Sequence, residues 1–219
     1  MDVSLRLEKE EDYYNVENVT RDAFWEMRGR PSGCDEHYLV NIIRKSSDFI
    51  RELNYVALLE NEIVGHIIYT KSKIIDNENN EYETITFGPV SVLPELQNRG
   101  IGSQLIKFSL KRAGELGYRA LIIYGHPKYY PRFGFKDARD YKITTPEGEN
   151  FDAFMAYEIY EGALKGINGK AYLSPVFSYI NAEEVRKFDK KFPPKEKYSE
   201  FELFYNSNLH LWHSLHIGH

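Results

Sequence analysis

Cysteine is nearly absent: Cys34 is the one thiol in 219 residues. It closes no internal disulfide, so a fold must rest on a packed core, and a reducing cytoplasm is the expected setting. Basic charge is not in excess. Lys and Arg total 28 against 33 Asp and Glu, a formal net charge of −5, which disfavours a nucleic-acid partner. No apolar run nears the roughly 20 residues of a membrane-spanning helix. The first residues, Met1 to Arg6, lack the charged-then-apolar order of a secretory leader, so no membrane partner is expected. Internal repeats and low-complexity tracts are missing too. Aromatic residues, by contrast, are plentiful, with 17 Tyr and 13 Phe in a chain that is 42% apolar and 28% charged, the profile of a globular protein.

Hydrophobic periodicity divides the chain into strands and helices. Val3 to Leu7 alternates as a short strand. Asp12 to Met27 places Val16, Val19, Ala23 and Phe24 near helical spacing, and the Arg28–Gly33 stretch breaks it. Asp35 is a candidate N-cap for a second helix with Tyr38, Leu39, Ile42 and Ile43 on one face. Residues 55–59 and 63–75 form a hairpin about the Glu60-Asn61-Glu62 turn, and 82–92 a third antiparallel strand. Gly88-Pro89 inside that strand predicts a bulge, since proline cannot donate to a ladder. A helix over 101–116, capped by Gly117, leads to a buried-type strand at 120–124, which the intervening helix makes parallel to its predecessor. Residues 127–133 form a short helix or turn, and 141–145 with 153–160 a second hairpin. The fold class is α/β in the sense of a mixed α+β sheet with helices on it.

The segment Val90-Ser91-Val92-Leu93-Pro94-Glu95-Leu96-Gln97-Asn98-Arg99-Gly100-Ile101-Gly102-Ser103 carries the chemistry. A strand enters a loop with two glycines, and a helix starts at once. Free N–H groups and the helix dipole make such a start an anion site suited to a pyrophosphate. Two phosphate motifs are excluded: Leu105 stands where a dinucleotide fingerprint needs a small residue, and Gly-Lys-Ser/Thr is absent. On the bare Gly-x-Gly alone, a plain turn before an amphipathic helix is an equal alternative.

Gln97-x-x-Gly100-x-Gly102, preceded by Val90-x-Val92-x-Pro94-Glu95, resembles the acetyl-coenzyme A signature of the GNAT N-acetyltransferase superfamily. Tyr129-Tyr130-Pro131-Arg132-Phe133-Gly134-Phe135 resembles its second motif, and Gly125-His126-Pro127 before it is similar to the YhbS-like branch. The resemblance covers residues 3–160. It implies the GNAT fold, with a central mixed, mostly antiparallel sheet and a splayed parallel strand pair. It also implies an acetyl-CoA co-substrate, no metal, and acetyl transfer to a primary amine of a small molecule, peptide or protein. By the match, the backbone of Val90 and Val92 holds the pantetheine arm, and the N–H groups of Gln97, Asn98, Arg99, Gly100, Ile101, Gly102 and Ser103 cradle the pyrophosphate. Arg99 adds a phosphate contact or is a solvated loop arginine. Tyr130 stands where the family places its general acid, with Tyr129 as the register-shifted alternative. A phenol, with an ordinary pKa of about 10, stays protonated at neutral pH and can supply a departing thiolate. His126 is the candidate base; orienting the loop and binding substrate are its other roles. Glu83 and Glu95 are water-positioning carboxylates or surface residues. The acceptor pocket is expected from about residues 24–40 and 145–155.

Residues 1–165 are therefore expected to form the catalytic domain and 166–219 an extension of unassigned role, entered through a linker-like Gly166-Ile167-Asn168-Gly169. In its tail, His210, His213, His216 and His219 recur three apart, as metal ligands or, better, as a disordered or lid-like terminus. Leu211 and Trp212 suit docking on the core or on a second copy, a homodimer. Cys34 lies near His37, with no supporting signature for a nucleophilic pair. Two other functions stay open: an acyltransferase for a longer acyl-CoA, and a coenzyme A-binding sensor without turnover.

Overall fold

A computed structural model describes residues 2–25 and 34–195. The Arg28–Gly33 break and the His-rich tail with Leu211 and Trp212 lie outside the described residues. The elements are β1 (Ser4–Leu7), α1 (Tyr13–Trp25), α2 (Glu36–Ile43), β2 (Tyr55–Leu59), β3 (Glu62–Asp76), β4 (Glu81–Val92), α3 (Ile101–Glu115), β5 (Ala120–Tyr124), β6 (Lys136–Asp137), β7 (Ile143–Thr144), β8 (Phe154–Glu158), β9 (Gly169–Tyr172) and α4 (Ala182–Asp189). One mixed sheet runs β1-β2-β3-β4-β5-β8-β6, with β9 joined to β3 and β7 to β9. This is the expected mixed sheet with helices on it.

Alternation sorts each strand between two covered faces. Leu121 and Ile123 of β5 turn to α3, joining Leu105, Ile106 and Leu110. Ala120 and Ile122 turn the other way, joining Phe154, Ile143 and Leu164. On that second face, further along, α1 and α2 bury Val16, Val19, Leu39, Val40 and Ile43 against Val56 and Ile68. The inward stripe of α2 differs from expectation. Val40 replaces Tyr38 in it, because the Tyr38 hydroxyl reaches Glu184 of α4 at 3.1 Å and its ring meets Phe188.

The Glu60–Asn61 turn has both φ positive, at 51° and 70°, the geometry that matches strand twist in a two-residue hairpin. Opposite Ile68, Gly88 and Pro89 form the expected bulge: Ile67 pairs with Val90 and Tyr69 with Phe87. Helix α3 ends at Gly117, whose N–H reaches Gly114 O at 3.0 Å while Tyr118 N–H reaches Ala113 O at 3.1 Å, a complete left-handed cap.

One expectation needs correction. β7 does not form a hairpin with β8; it pairs parallel with β9, and β8 pairs with β5 and β6. Past residue 166 the chain adds a strand to the same sheet. β3 is long enough for β2 to pair with its first half and β9 with Lys73–Asp76. Beyond β9, Ser174 Oγ donates to Asp48 Oδ2 at 2.7 Å, and α4 docks on α1 and α2.

Two buried charge networks tie these layers. Arg44 bonds Glu8 at 2.5 and 3.0 Å and Glu17 at 2.6 Å, with Asn54 and His66 completing the cluster beneath. Asp189 of α4 accepts from Arg21 Nε at 2.6 Å and lies 3.2 Å from His37 Nε2, whose other ring nitrogen is 3.4 Å from Cys34 Sγ. Burial pushes the Asp189 carboxyl up, but His37 and Arg21 outweigh it and hold it down at about 2. A carboxyl depressed in the folded state stabilises that state above its ordinary range and stops doing so as pH falls through the folded value. The docking of α4 is thus expected to persist above about pH 4 and to be lost as pH falls towards 2. Trp25, 4.5 Å from the Arg21 guanidinium, reports the change by fluorescence, and Asp189→Asn should remove this acid transition from the titration.

Candidate active site

β4 and β5 are parallel neighbours that pair at one position only, Ile85 with Leu121. Thr86 Oγ1 donates to Ile122 O at 2.9 Å just beyond it, and then the strands part. Leu93 N–H donates to Val64 O at 3.0 Å, so this residue's backbone faces β3. By alternation the N–H and C=O of Val92, and of Val90 two residues earlier, face the open edge towards β5. Val92 O receives Gln97 Nε2 there at 3.1 Å. The expected splay is present, with an unladdered strand edge on its β4 side.

The loop that follows is shaped by two left-handed residues, Asn98 at φ 58° and Gly100 at φ 86°. The first helical bond of α3 is Gln104 N–H to Gly100 O, 2.9 Å. Among the described residues, no hydrogen bond uses the N–H groups of Asn98, Arg99, Gly100, Ile101, Gly102 or Ser103. They are a run of spare donors at the positive end of a 15-residue helix. Gln97 leaves the expected donor set, since its N–H is taken by Pro94 O at 3.2 Å; its side chain instead braces Val92. The Arg99 side chain is exposed.

Gly102 leaves room for a ligand. A Cβ built on it would meet nothing nearer than Tyr129 Oη and Val92 Cγ2, each at 3.7 Å. The folded chain therefore accommodates a side chain here, whereas an anion on the free N–H groups would collide with it. Gly102→Glu is expected to keep its melting temperature and to lose detectable binding of acetyl-CoA; titration calorimetry beside a thermal melt checks both.

The tandem tyrosines separate by position. Tyr129 is half-buried, carries the Arg132 guanidinium 4.5 Å over its ring, and brings its hydroxyl towards the start of α3. Tyr130 is 2% exposed and packed among Phe87, Phe133 and Phe135. Its ring lies so close to Gly125 that a Cβ there would sit 2.5 Å from Cδ2. Burial, then Tyr129 and Tyr69, raise the Tyr130 pKa above the ordinary phenol value. No hydrogen bond among the described residues engages its hydroxyl.

Tyr130 lines a cavity of about 400 Å³ beyond the splay. Thr86, Phe87 and Tyr124 form its inner wall, the 145–151 loop supplies Glu147, Glu149 and Phe151, and Leu173, Phe177 and Ser178 close it from the C-terminal segment. Of the segments expected to form the acceptor pocket, residues 145–151 line this cavity. The described part of 24–40 is not among the lining residues, and the wall from 173–178 was unforeseen. Sequence reading also missed Tyr124 and the paired glutamates, for which a Glu-Gly-Glu turn just ahead of Phe151 and Phe154 is the available signal.

The other candidates lie elsewhere. His126 is exposed, accepts Lys128 N–H on Nδ1 at 3.2 Å, and offers its carbonyl to Tyr129 and Tyr130, so it builds the turn that presents both tyrosines. It is not among the cavity's lining residues. Glu83 lines a separate groove with Lys73 and Tyr172, and Glu95 is exposed in the loop before Gln97. Cys34 and His37 are in contact but 2% and 0% exposed, and burial pushes the thiol pKa well up. Among the described residues no cluster of His, Cys, Asp and Glu is arranged to hold a metal ion, and no helix is long and apolar enough to cross a membrane.

The acetyltransferase (GNAT) domain family matches residues 51–137. The uncharacterized N-acetyltransferase YjhQ of Escherichia coli K12 is 32% identical over 84 residues, which are 38% of this chain and 46% of YjhQ. YhbS from the same strain is 24% identical over 110 residues, 50% of this chain and 64% of YhbS. The chain thus spans about half to two thirds of the relatives it matches. Among solved structures, YhbS from E. coli in complex with CoA superposes with a TM-score of 0.70 at 20% identity, over 82% of this chain and 93% of that one. A GNAT family acetyltransferase from Brucella melitensis in complex with acetyl-CoA gives 0.64 at 25% identity, over 80% and 98%.

Proposed function

We propose, from the premise that residues 51–137 are a GNAT acetyltransferase domain, that this protein is an acetyl-CoA-dependent N-acetyltransferase acting on a primary amine. The observation that carries this is the continuity of three features. A run of free N–H donors at the start of α3 leads to the unladdered Val90–Val92 edge, which leads to a cavity holding the unpartnered Tyr130 hydroxyl. Similar structures hold CoA or acetyl-CoA, and the donors suit its charges. Asn98 to Ser103 would hold the pyrophosphate, and the backbone of Val90 and Val92 the pantetheine amides, as an added strand is held.

Bound there, acetyl-CoA supplies an activated acetyl group as a thioester. The groove-facing N–H of Val92 is placed to receive developing negative charge on the acetyl oxygen. Buried among aromatic rings, Tyr130 Oη keeps its proton through the neutral range and can release it to a thiolate as the carbon–sulfur bond gives way. The acceptor nitrogen bonds to the acetyl carbon and loses its surplus proton towards the open mouth of the cavity. His126, at the base of the tyrosine turn, serves as the positioning residue for Tyr130.

Titration calorimetry with acetyl-CoA, with NAD as comparator, tests the reading. Micromolar affinity for acetyl-CoA alone, followed by thiol release with members of an amine panel, is the expected result. Absence of binding at millimolar acetyl-CoA would reduce the Asn98–Ser103 loop to a helix start. Binding without thiol release from any amine would leave a coenzyme A sensor.

A further inference from the structure

The cavity that receives the acceptor has a one-sided charge. Among the described residues its lining holds two carboxylates, Glu147 and Glu149, and five aromatic rings, but no Lys, Arg or His. Neither carboxylate has a cationic partner among the described residues, although Asp152, close by in the same segment, is held by Arg139 at 2.7 Å. The pair does not hang on a loose loop. Thr145 N–H reaches Glu149 O at 3.0 Å, Gly148 N–H reaches Thr145 O at 2.9 Å, and Glu149 N–H reaches Thr145 Oγ1 at 3.2 Å. This closed turn carries both side chains at the exposed end of the cavity, while Tyr130 stands 2% exposed at the other.

Resting on the acetyltransferase reading, we infer that the acceptor is an aliphatic amine with a second cationic group, and that Glu147 and Glu149 hold the cation that does not react. The amine that attacks must first lose its proton. Carboxylates beside it would favour the ammonium form and oppose attack. Placed at the mouth, they act on the far end of the acceptor instead. The charge of Glu147 is felt by Tyr124, after burial, but is not among the influences on Tyr130. Between the two ends, the faces of Tyr124, Phe151 and Phe177 suit a methylene chain and add cation–π attraction. An acceptor with a carboxylate or phosphate in place of the second cation would meet like charge, with no lining cation among the described residues to neutralise it.

The test compares three acceptors of equal chain length in steady-state kinetics with acetyl-CoA: a linear diamine, the monoamine lacking the distal nitrogen, and the amino acid with a distal carboxylate. Calorimetric binding of each to the CoA-saturated protein is measured alongside. The diamine is expected to exceed the monoamine at least about tenfold in kcat/KM, a difference of about 1.4 kcal/mol, and the amino acid to be poorest. In the Glu147→Gln/Glu149→Gln double variant the diamine should fall to the level of the monoamine, with CoA affinity retained. Equal use of diamine and monoamine, preference for the amino acid, or an undiminished diamine preference in the double variant would each overturn the inference and leave the acetyltransferase reading in place. Failure to bind CoA at all would instead remove that reading, and this one with it.

Discussion

Tyr130→Phe is expected to lower turnover at least about tenfold, towards the roughly 10²–10⁴ that positioned proton donors contribute, while leaving acetyl-CoA affinity and thermal stability unchanged. The hydroxyl bonds to nothing among the described residues, so its removal leaves no buried partner unsatisfied. The ring contacts with Phe87, Phe133 and Phe135 remain. What disappears is the phenolic proton of Tyr130. Because burial raises this phenol's pKa, no alkaline fall in rate through the neutral range should be traceable to it. Tyr129→Phe separates the two tyrosines: with its hydroxyl near the start of α3, that change should appear in KM for acetyl-CoA rather than in kcat. Full turnover by Tyr130→Phe would remove Tyr130 from the mechanism.

The largest effect on stability is expected from Arg44→Met, about 3–5 kcal/mol, the usual consequence of stripping one partner from a buried ion network. Arg44, Glu8 and Glu17 have side chains 3%, 0% and 7% exposed. Burial already raises the Glu8 carboxyl, and Arg44 is the chief group opposing that shift. His66 beneath it cannot substitute, because complete burial holds it neutral, with its pKa well below the ordinary value. Methionine keeps most of the stem volume, so the loss is electrostatic rather than a packing defect. A urea midpoint shift with unchanged slope measures it; a shift worth less than about 1 kcal/mol would mean that water reaches the carboxylates once the guanidinium is gone.

Local signals were the ones legible in the sequence. The strand at Ala120–Tyr124 and the start of α3 at Ile101 fall where a continuous apolar run and the Gly-x-Gly loop put them, and the bulge falls where Pro89 breaks the ladder. What failed depended on partners distant in the chain. β7 reads as half of a hairpin, but its partner is β9, and nothing near Ile143 announces that. Gly169 reads as a linker glycine, yet a Cβ there would collide with the backbone carbonyl of Ile75, so its glycine serves close strand approach. Gln97 follows the motif, but local pattern cannot tell that its N–H is spent on Pro94 while its side chain does the bracing. Glu147 and Glu149 are unremarkable loop acids until the chain from 173–178 arrives to make them the rim of a cavity.

That arrival orders events during synthesis. Among the described residues β9 is the last strand of the sheet to leave the ribosome, and it must find Lys73–Asp76 across roughly a hundred residues of chain already made, the kind of remote pairing that forms slowly. Until it does, β7 has no neighbour and Leu173, Phe177 and Ser178 are not in place. The Asn98–Ser103 loop and the splayed strands, by contrast, are complete once β5 has emerged. A nascent chain therefore acquires the spare N–H donors and the open strand edge before it has the outer wall of the cavity beside them.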